Sequence, residues 1–240
     1  MKMERTIRSV EDVLKMLDHP FRSPDQFWDP FYTDREKAVP FFKNAPDENL
    51  VSYCARGLIK PGKAMDLGCG PGRNSLYLAQ QGFDVAGCDI SGTAIQWARE
   101  RAEEKGLNIR FECKSVFEIH SEGEYDLVYD SGCLHHLLPH RRIQYLEMVS
   151  RALKPKGFFG ITCFRPGFGD QGGPVREMSD WDVYQEGTMN GGLAFSEEKI
   201  KYLLEPFFKC IEFRASEVPD HDESFGVPFL WASLWRKKKS

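Results

Sequence analysis

The chain has 240 residues, 41% of them hydrophobic and 28% charged, the composition of an ordinary soluble globular protein. Its 32 basic and 36 acidic residues leave a net charge of −4, which weighs against a nucleic-acid surface, where phosphate contacts demand a basic surplus. No apolar stretch approaches the roughly 20 residues of a membrane span, and the polar start Met1-Lys2-Met3-Glu4-Arg5 lacks the apolar centre of a secretory signal. These features predict a cytoplasmic protein with neither a membrane nor a nucleic-acid partner.

Length favours one α/β domain with an elaborated end over two small domains. The first 60 residues open with a helix capped by Ser9, with Val10, Val13, Leu14 and Leu17 on one face. An aromatic, proline-punctuated stretch follows, carrying Phe21, Phe27, Trp28, Phe31, Tyr32, Phe41 and Phe42. From residue 63 strands and helices alternate, which predicts a mostly parallel sheet covered on both faces. The first strand spans Lys63 to Leu67, then a glycine turn leads into a helix that runs to Gln81 and stops at Gly82. The second strand, Asp84 to Asp89, leads to Ser91, an N-cap for a helix with Ile95, Ala98 and Ala102 inward. Strands follow at Ile109 to Cys113 and Tyr125 to Asp130, then a helix from His140 to Leu153 and a strand from Phe158 to Phe164.

Residues 165–195 form a long glycine-rich insertion with Trp181 and Tyr184, and segments of that length are commonly lids or binding loops. A helix near Ser196 to Leu204 and strands near Phe208 to Phe213 and Phe229 to Trp235 complete the order. The basic run Arg236-Lys237-Lys238-Lys239 reads as a solvated tail. All seven cysteines stand apart, with no C-x-x-C pair, and are expected as reduced buried thiols with no metal site.

The segment Ala64-Met65-Asp66-Leu67-Gly68-Cys69-Gly70-Pro71-Gly72-Arg73-Asn74 follows a strand and opens a helix, the context of a nucleotide-binding turn. The dinucleotide fingerprint G-x-G-x-x-G needs a third glycine for close helix–strand packing, and counting from Gly68 and Gly70 that position holds Arg73. Asp66 precedes the first glycine, and a carboxylate there suits the ammonium of S-adenosylmethionine and repels a pyrophosphate. Asp89 ends the second strand at about the spacing where an acidic residue meets ribose hydroxyls, the alternative being a turn or capping aspartate.

The run from Asp66 through Arg73-Asn74-Ser75-Leu76-Tyr77-Leu78-Ala79, continuing to Asp84-Val85 and Asp89-Ile90-Ser91, resembles the class I S-adenosylmethionine-dependent methyltransferases. Within them it is most similar to the tellurite-resistance and thiopurine-type branch that acts on small molecules. Tyr125-Asp126-Leu127-Val128-Tyr129-Asp130 followed by Leu134-His135-His136, and Arg151-Ala152-Leu153-Lys154-Pro155-Lys156-Gly157, match the broader class. The resemblance implies a three-layer, doubly wound, mostly parallel seven-stranded sheet of Rossmann-like form with its last strand antiparallel. Residues 1–60 match only in general character, and their helix and aromatic stretch are expected as a lid on a domain spanning 61–240. The resemblance also implies S-adenosylmethionine as cofactor, roles in holding it for Asp66, Gly68, Cys69, Gly70, Asn74 and Asp89, and Ile90 beside the adenosine. Ser115 and Val116 stand where many members place an acidic residue near the adenine, and Asp130 and Ser131 where the class lines the methyl-donor side.

His135 and His136 are the nearest candidates for a general base, although histidines after the fourth strand also recur in this class as structural residues. Trp28, Tyr32, Trp181 and Tyr184 can frame an acceptor or shield the cationic donor, and core packing explains them equally well. No Asn-Pro-Pro-Tyr or Asp-Pro-Pro-Tyr follows the fourth strand, which lowers the reading of a base-modifying enzyme. The expected reaction is methyl transfer to a small-molecule acceptor. Alternatives are a methyltransferase of RNA or protein and a non-catalytic cofactor-binding module. The accepting atom and the oligomeric state are left open by these residues.

Overall fold

The computed structural model describes residues 6–239, so the polar start at residues 1–5 lies outside the described part. Seven strands form one sheet in the order β3-β2-β1-β4-β5-β7-β6. Strands β1 (Lys63–Leu67), β2 (Asp84–Asp89), β3 (Arg110–Cys113), β4 (Tyr125–Ser131) and β5 (Leu153–Phe164) pair in parallel. Strand β7 (Leu230–Lys237) inserts antiparallel between β5 and β6 (Phe208–Ala215). This is the mostly parallel doubly wound sheet that the alternation of elements predicts.

The inner strands read as near-continuous apolar runs because both faces are covered. Register sets which side chain goes where. Met65 pairs with Ala86 and Val128, and all three join the core beneath α6 (Arg142–Ala152) and α8 (Glu197–Leu204). One residue earlier, Ala64 pairs with Val85 and Leu127 and faces the opposite core. That core is closed by α3 (Glu48–Ala55), through Leu50 and Tyr53, and by Leu78 of α4 (Arg73–Gln80). Each such leucine or valine contributes about 1.5–3 kcal/mol by leaving water. Helix α5 (Gly92–Glu104) lays Ile95 and Ala98 against Leu76 and Phe111.

Strand β5 begins at Leu153, five residues ahead of the expected Phe158. Leu153 pairs with Tyr125, the register then shifts, and Phe158 pairs with Leu127. Lys156 sits at φ 67 within that irregular stretch. Pro155 and Gly157 therefore mark a bulged strand entry as well as a helix stop. The basic run is not a free tail: Arg236 and Lys237 complete β7, with Arg236 over the Phe158 ring and Lys237 Nζ donating to the Leu153 carbonyl. All seven cysteines are unpaired, and Cys113 is exposed, unlike the buried thiol expected there, because it ends an edge strand.

Ahead of β1 the chain runs over the carboxyl ends of the strands. Helix α1 (Val10–Asp18) has the expected Ser9 cap, with Asp12 N donating to Ser9 Oγ and Ser9 N to Asp12 Oδ2. None of its residues is buried. It docks by charge, Asp18 receiving His140 Nε2 at 2.9 Å and the Arg141 guanidinium. Helix α2 (Pro24–Phe31) is tied to α5: Asp29 Oδ1 accepts from Ser91 Oγ and Thr93 N, both at 2.9 Å, adding a second cap to that helix start. Within the 165–195 insertion, α7 (Asp180–Glu186) is capped by Ser179 and fixed through the buried Val183. No helix among the described residues is long and apolar enough to cross a membrane.

Strand order reverses between β1 and β4, so the connections after them leave in opposite directions and open a crevice at their carboxyl ends. The site lies there.

Candidate active site

A cavity of about 430 Å³ opens at the ends of β1, β2 and β4, floored by the glycine turn and roofed by α2. Gly70 adopts φ 52, left-handed backbone that glycine takes without strain, and a Cβ there would lie 3.0 Å from the Tyr32 hydroxyl. Gly68, at φ 63, would bring a Cβ to 3.1 Å from Cys133. The close helix–strand packing demanded of the fingerprint's third glycine falls to Gly72, whose Cβ would meet Ala98 and Phe111 at 3.1 Å. Position 73 is thereby free to carry a large side chain.

Asp89 Oδ2 accepts from the Gly70 N–H and Oδ1 from the Ser91 N–H, both at 2.9 Å. One carboxylate thus pins the glycine turn to the start of α5 and keeps lone pairs toward the cavity it lines. Burial raises its pKa. Asp66, at the end of β1, accepts from Ser75 Oγ at 2.6 Å, and burial pushes its carboxyl up to about 7. Ile90, Ser115, Val116 and Cys69 line the same part of the cavity. Ser115 Oγ caps the turn at Val116–Glu118 by accepting from Phe117 N, while Glu118 turns back to the Ser115 N–H.

Asn74 lines the cavity but spends its amide on Asp47: Oδ1 accepts from the Asp47 N–H and Nδ2 donates to Asp47 Oδ2. Beside it Arg73 lies buried, donating to the Ala45 carbonyl and Ser131 Oγ, with its guanidinium 4.5 Å from the Phe225 ring centroid. Arg73, whose bulk in sequence speaks only against a dinucleotide, thus has a structural role that the glycine-turn pattern does not reveal. A signal existed, since a cation in the first turn of a helix opposes the macrodipole and calls for a carboxylate partner.

Asp130 corrects an expectation. Its carboxylate is fully buried and turned away from the cavity, accepting from Cys133 N at 2.6 Å, Leu134 N at 3.0 Å and Tyr145 Oη at 2.6 Å. It holds the turn that carries the two histidines. Its neighbour Ser131 does reach the cavity, between Arg73 and the Thr162 hydroxyl.

His135 and His136 both line the cavity. The His135 ring stacks on Phe164 at 3.7 Å and 12°, and its Nδ1 accepts from the Phe164 N–H at 3.3 Å. That bond assigns the remaining proton to Nε2, so His135 presents a donor and not a base. His136 meets Trp28 edge-on at 4.8 Å. Burial lowers both pKa values, that of His136 to about 4, so both rings are neutral at physiological pH.

Trp28 and Tyr32 line the cavity, whereas Trp181 and Tyr184 do not, which corrects the second expectation. Trp181 is 79% exposed, on the outer face of α7. The Tyr184 hydroxyl is engaged by the N–H and Nδ1 of His140, and its ring meets Phe21, so it braces α7 against the amino-terminal segment. The inward aromatics of the later chain are Phe164, Phe229 and Phe225.

The residues fit S-adenosylmethionine. Side-chain-free backbone opens the floor, a carboxylate with spare lone pairs ends β2, and a second buried carboxyl ends β1. Residues 64–157 match the family described as a methyltransferase domain. The chain is 28% identical over 127 residues to the 2-heptyl-1-hydroxyquinolin-4(1H)-one methyltransferase of Mycobacteroides abscessus, an alignment covering 52% of this chain and 56% of that one. It is 38% identical over 74 residues to a probable S-adenosyl-L-methionine-dependent methyltransferase, TehB, of Haemophilus influenzae, covering 31% of this chain and 26% of that one. The chain thus spans little more than half the length of the first of these relatives and about a quarter of the second. The structure of the Burkholderia thailandensis 1,6-didemethyltoxoflavin-N1-methyltransferase superposes with a TM-score of 0.61 at 21% identity, covering 98% of this chain and 92% of that one, and shares the fold. Over residues 64–157 the chain is thus similar to methyltransferase domains, including that of a relative described as S-adenosyl-L-methionine-dependent.

Proposed function

We propose that the protein transfers the methyl group of S-adenosylmethionine to a small-molecule acceptor. The observation that carries this reading is that one cavity joins the Gly68–Gly70 and Asp89 cradle to an aromatic-walled recess at the two histidines. Two similar proteins, methyltransferases of 2-heptyl-1-hydroxyquinolin-4(1H)-one and of 1,6-didemethyltoxoflavin, support a small acceptor.

S-adenosylmethionine supplies a sulfonium-activated methyl group, which an acceptor lone pair takes by in-line displacement. Asp89 would hold the ribose hydroxyls and Asp66 the ammonium, with Ile90, Val116 and Ser115 on the adenosine side. Gly68, Cys69 and Gly70 provide the floor, with Asn74 and Ser131 near the amino-acid end. Trp28 and Phe164 hold the acceptor, and Tyr32 closes over the glycine turn. Placing both reactants in a near-attack arrangement can supply about 7–11 kcal/mol of the barrier. Where the acceptor loses a proton, His136 takes it, because the basic nitrogen of His135 is already used by the Phe164 N–H. Residues 1–60 act as a lid through Trp28 and Tyr32, and the 165–195 insertion adds the Gln171-Gly172 turn to the rim.

Thermal unfolding with S-adenosylmethionine, S-adenosylhomocysteine or NAD tests the reading. At about 100 times the dissociation constant, a ligand adds roughly 2.7 kcal/mol of stability. That amounts to a rise of about 5–10 °C for a chain of this length. A rise with the first two and none with NAD is expected, and Asp89→Ala should weaken binding about 100-fold by removing two charge-assisted hydrogen bonds. A folded protein that ignores both sulfur ligands at saturation would remove the proposal.

A further inference from the structure

The acceptor end of the cavity carries a chemical signature of its own. The charged side chains lining the whole cavity are Asp66, Arg73 and Asp89, and all three belong to the cofactor end. Arg73 is already neutralised by Asp47 at 2.6 Å. Around the histidines the wall is Trp28, Phe164, Phe229, Leu137 and Leu230, with the Thr162 hydroxyl. This wall is rigid. Phe164 and His136 rest so closely on the Gly192 backbone that a Cβ there would lie 2.6 Å from the Phe164 ring and 3.2 Å from His136 Cε1. His135 is clamped between Phe164 and Gly132, where a Cβ would come within 3.1 Å of its ring.

Resting on the methyl-transfer reading above, we infer that the acceptor is an uncharged, flat aromatic molecule with a hydrogen-bond-accepting atom, and that the Nε2–H of His135 selects it. An anionic acceptor would lose its hydration with no free protein cation to meet it, since Arg73 is spent and both imidazoles are neutral. A cationic acceptor would enter a recess without a carboxylate and beside a sulfonium. Flat rings, by contrast, gain offset or edge-to-face contacts with Trp28, Phe164 and Phe229. Among the described residues the His135 Nε2–H has no protein acceptor, and its Nδ1 partner holds the ring in that tautomer. An aromatic ligand that offers it a lone pair is therefore favoured over an isostere that does not, the asymmetry that makes polar recognition selective.

Calorimetry on the protein loaded with S-adenosylhomocysteine tests this with matched ligands: 1-naphthol, 1-hydroxy-2-naphthoate, 1-naphthylmethylamine and naphthalene. Binding of 1-naphthol at least about 100-fold tighter than the carboxylate and the ammonium is expected, from the cost of burying an unpaired charge. His135→Phe should bring 1-naphthol to within about threefold of naphthalene while S-adenosylhomocysteine still binds, because only the hydrogen bond is removed. Retained binding of S-adenosylhomocysteine with no binding of 1-naphthol, with equal or tighter binding of a charged analogue, or with an unchanged ranking in His135→Phe overturns this inference and leaves methyl transfer standing. Failure of S-adenosylhomocysteine itself to bind removes the underlying reading.

Discussion

The Arg73 guanidinium lies 2.6 Å from the Asp47 carboxylate, with 7% and 2% of the two side chains exposed. Asp47 Oδ1 makes this contact as a charge pair, without hydrogen-bond alignment, while Oδ2 accepts from Tyr129 Oη at 2.7 Å and from Asn74 Nδ2 at 3.1 Å. Arg73 in turn reaches the Ala45 carbonyl, Ser131 and the Phe225 ring. Four stretches distant in sequence therefore meet at one ion pair: the chain before α3, the glycine turn, the end of β4 and the loop before β7.

Arg73→Ala leaves the Asp47 charge buried and uncompensated, which costs about 3–5 kcal/mol. Urea unfolding should show that loss in the midpoint, and Arg73→Lys should recover only part of it, because an ammonium cannot span the same partners. The double change Arg73→Met with Asp47→Leu should lie closer to wild type than Arg73→Ala does. A stability for Arg73→Ala within about 0.5 kcal/mol of wild type, the range of an ordinary surface substitution, would show that the pair holds nothing together.

Legibility in the sequence follows the distance over which a feature is decided. The β1–turn–β2 unit was readable because strand period, glycines and terminal carboxylates all lie within one short stretch, and Asp66 and Asp89 do reach the cavity. The core-facing alternation and the Ser9 and Ser91 caps were equally local. Asp130 misled because the same position in sequence serves either orientation, and only the fold-back at Gly132 to His136 turns its carboxylate inward. Trp181 misled because aromatic content says nothing about facing; α7 buries Val183, two positions on, and leaves the indole outside. Arg73 and Asp47 went unseen as partners because α3 must first pack beneath the sheet to bring them together.

Asp66 should make cofactor affinity depend on pH. Its carboxyl, ordinarily near 3.8, is raised to about 7 by burial, so the free protein holds a proton there below that pH. An ammonium ligand needs the carboxylate, and affinity should fall by up to about tenfold per pH unit as pH drops below 7. Stability of the free protein runs the other way: a carboxyl that binds its proton more tightly folded than unfolded stabilises the fold as pH falls from about 7 toward 4. Calorimetry from pH 5 to 8 should record proton release on binding, and Asp66→Asn should abolish that release. Equal affinity at pH 5.5 and 7.5 in the wild type would show that this carboxyl does not meet the ammonium.

Asp130 should act on turnover through the histidine turn and leave cofactor binding alone. It accepts three hydrogen bonds: those from Cys133 N and Leu134 N fix the backbone from which His135 and His136 project, and that from Tyr145 Oη orients the carboxylate. Asp130→Asn keeps the shape but cannot accept at its nitrogen, leaving a buried donor unpaired at about 1–3 kcal/mol. If half of that loss is spent in mispositioning the histidines, kcat falls about 3–10-fold, since each 1.36 kcal/mol in the barrier is tenfold in rate. Burial raises the Asp130 carboxyl to about 6, so in the wild type the same support weakens as pH falls through 6 and the group protonates. Asp130→Asn should therefore lose that acidic limb of the rate profile while binding S-adenosylhomocysteine within about twofold of wild type, a change below 0.5 kcal/mol. Tyr145→Phe, which removes one of the three donors and leaves the Asp130 carboxylate intact, should show the smaller defect. A large loss of S-adenosylhomocysteine affinity in Asp130→Asn, with kcat preserved, would return this carboxylate to the cofactor site and take the turn-holding role away from it.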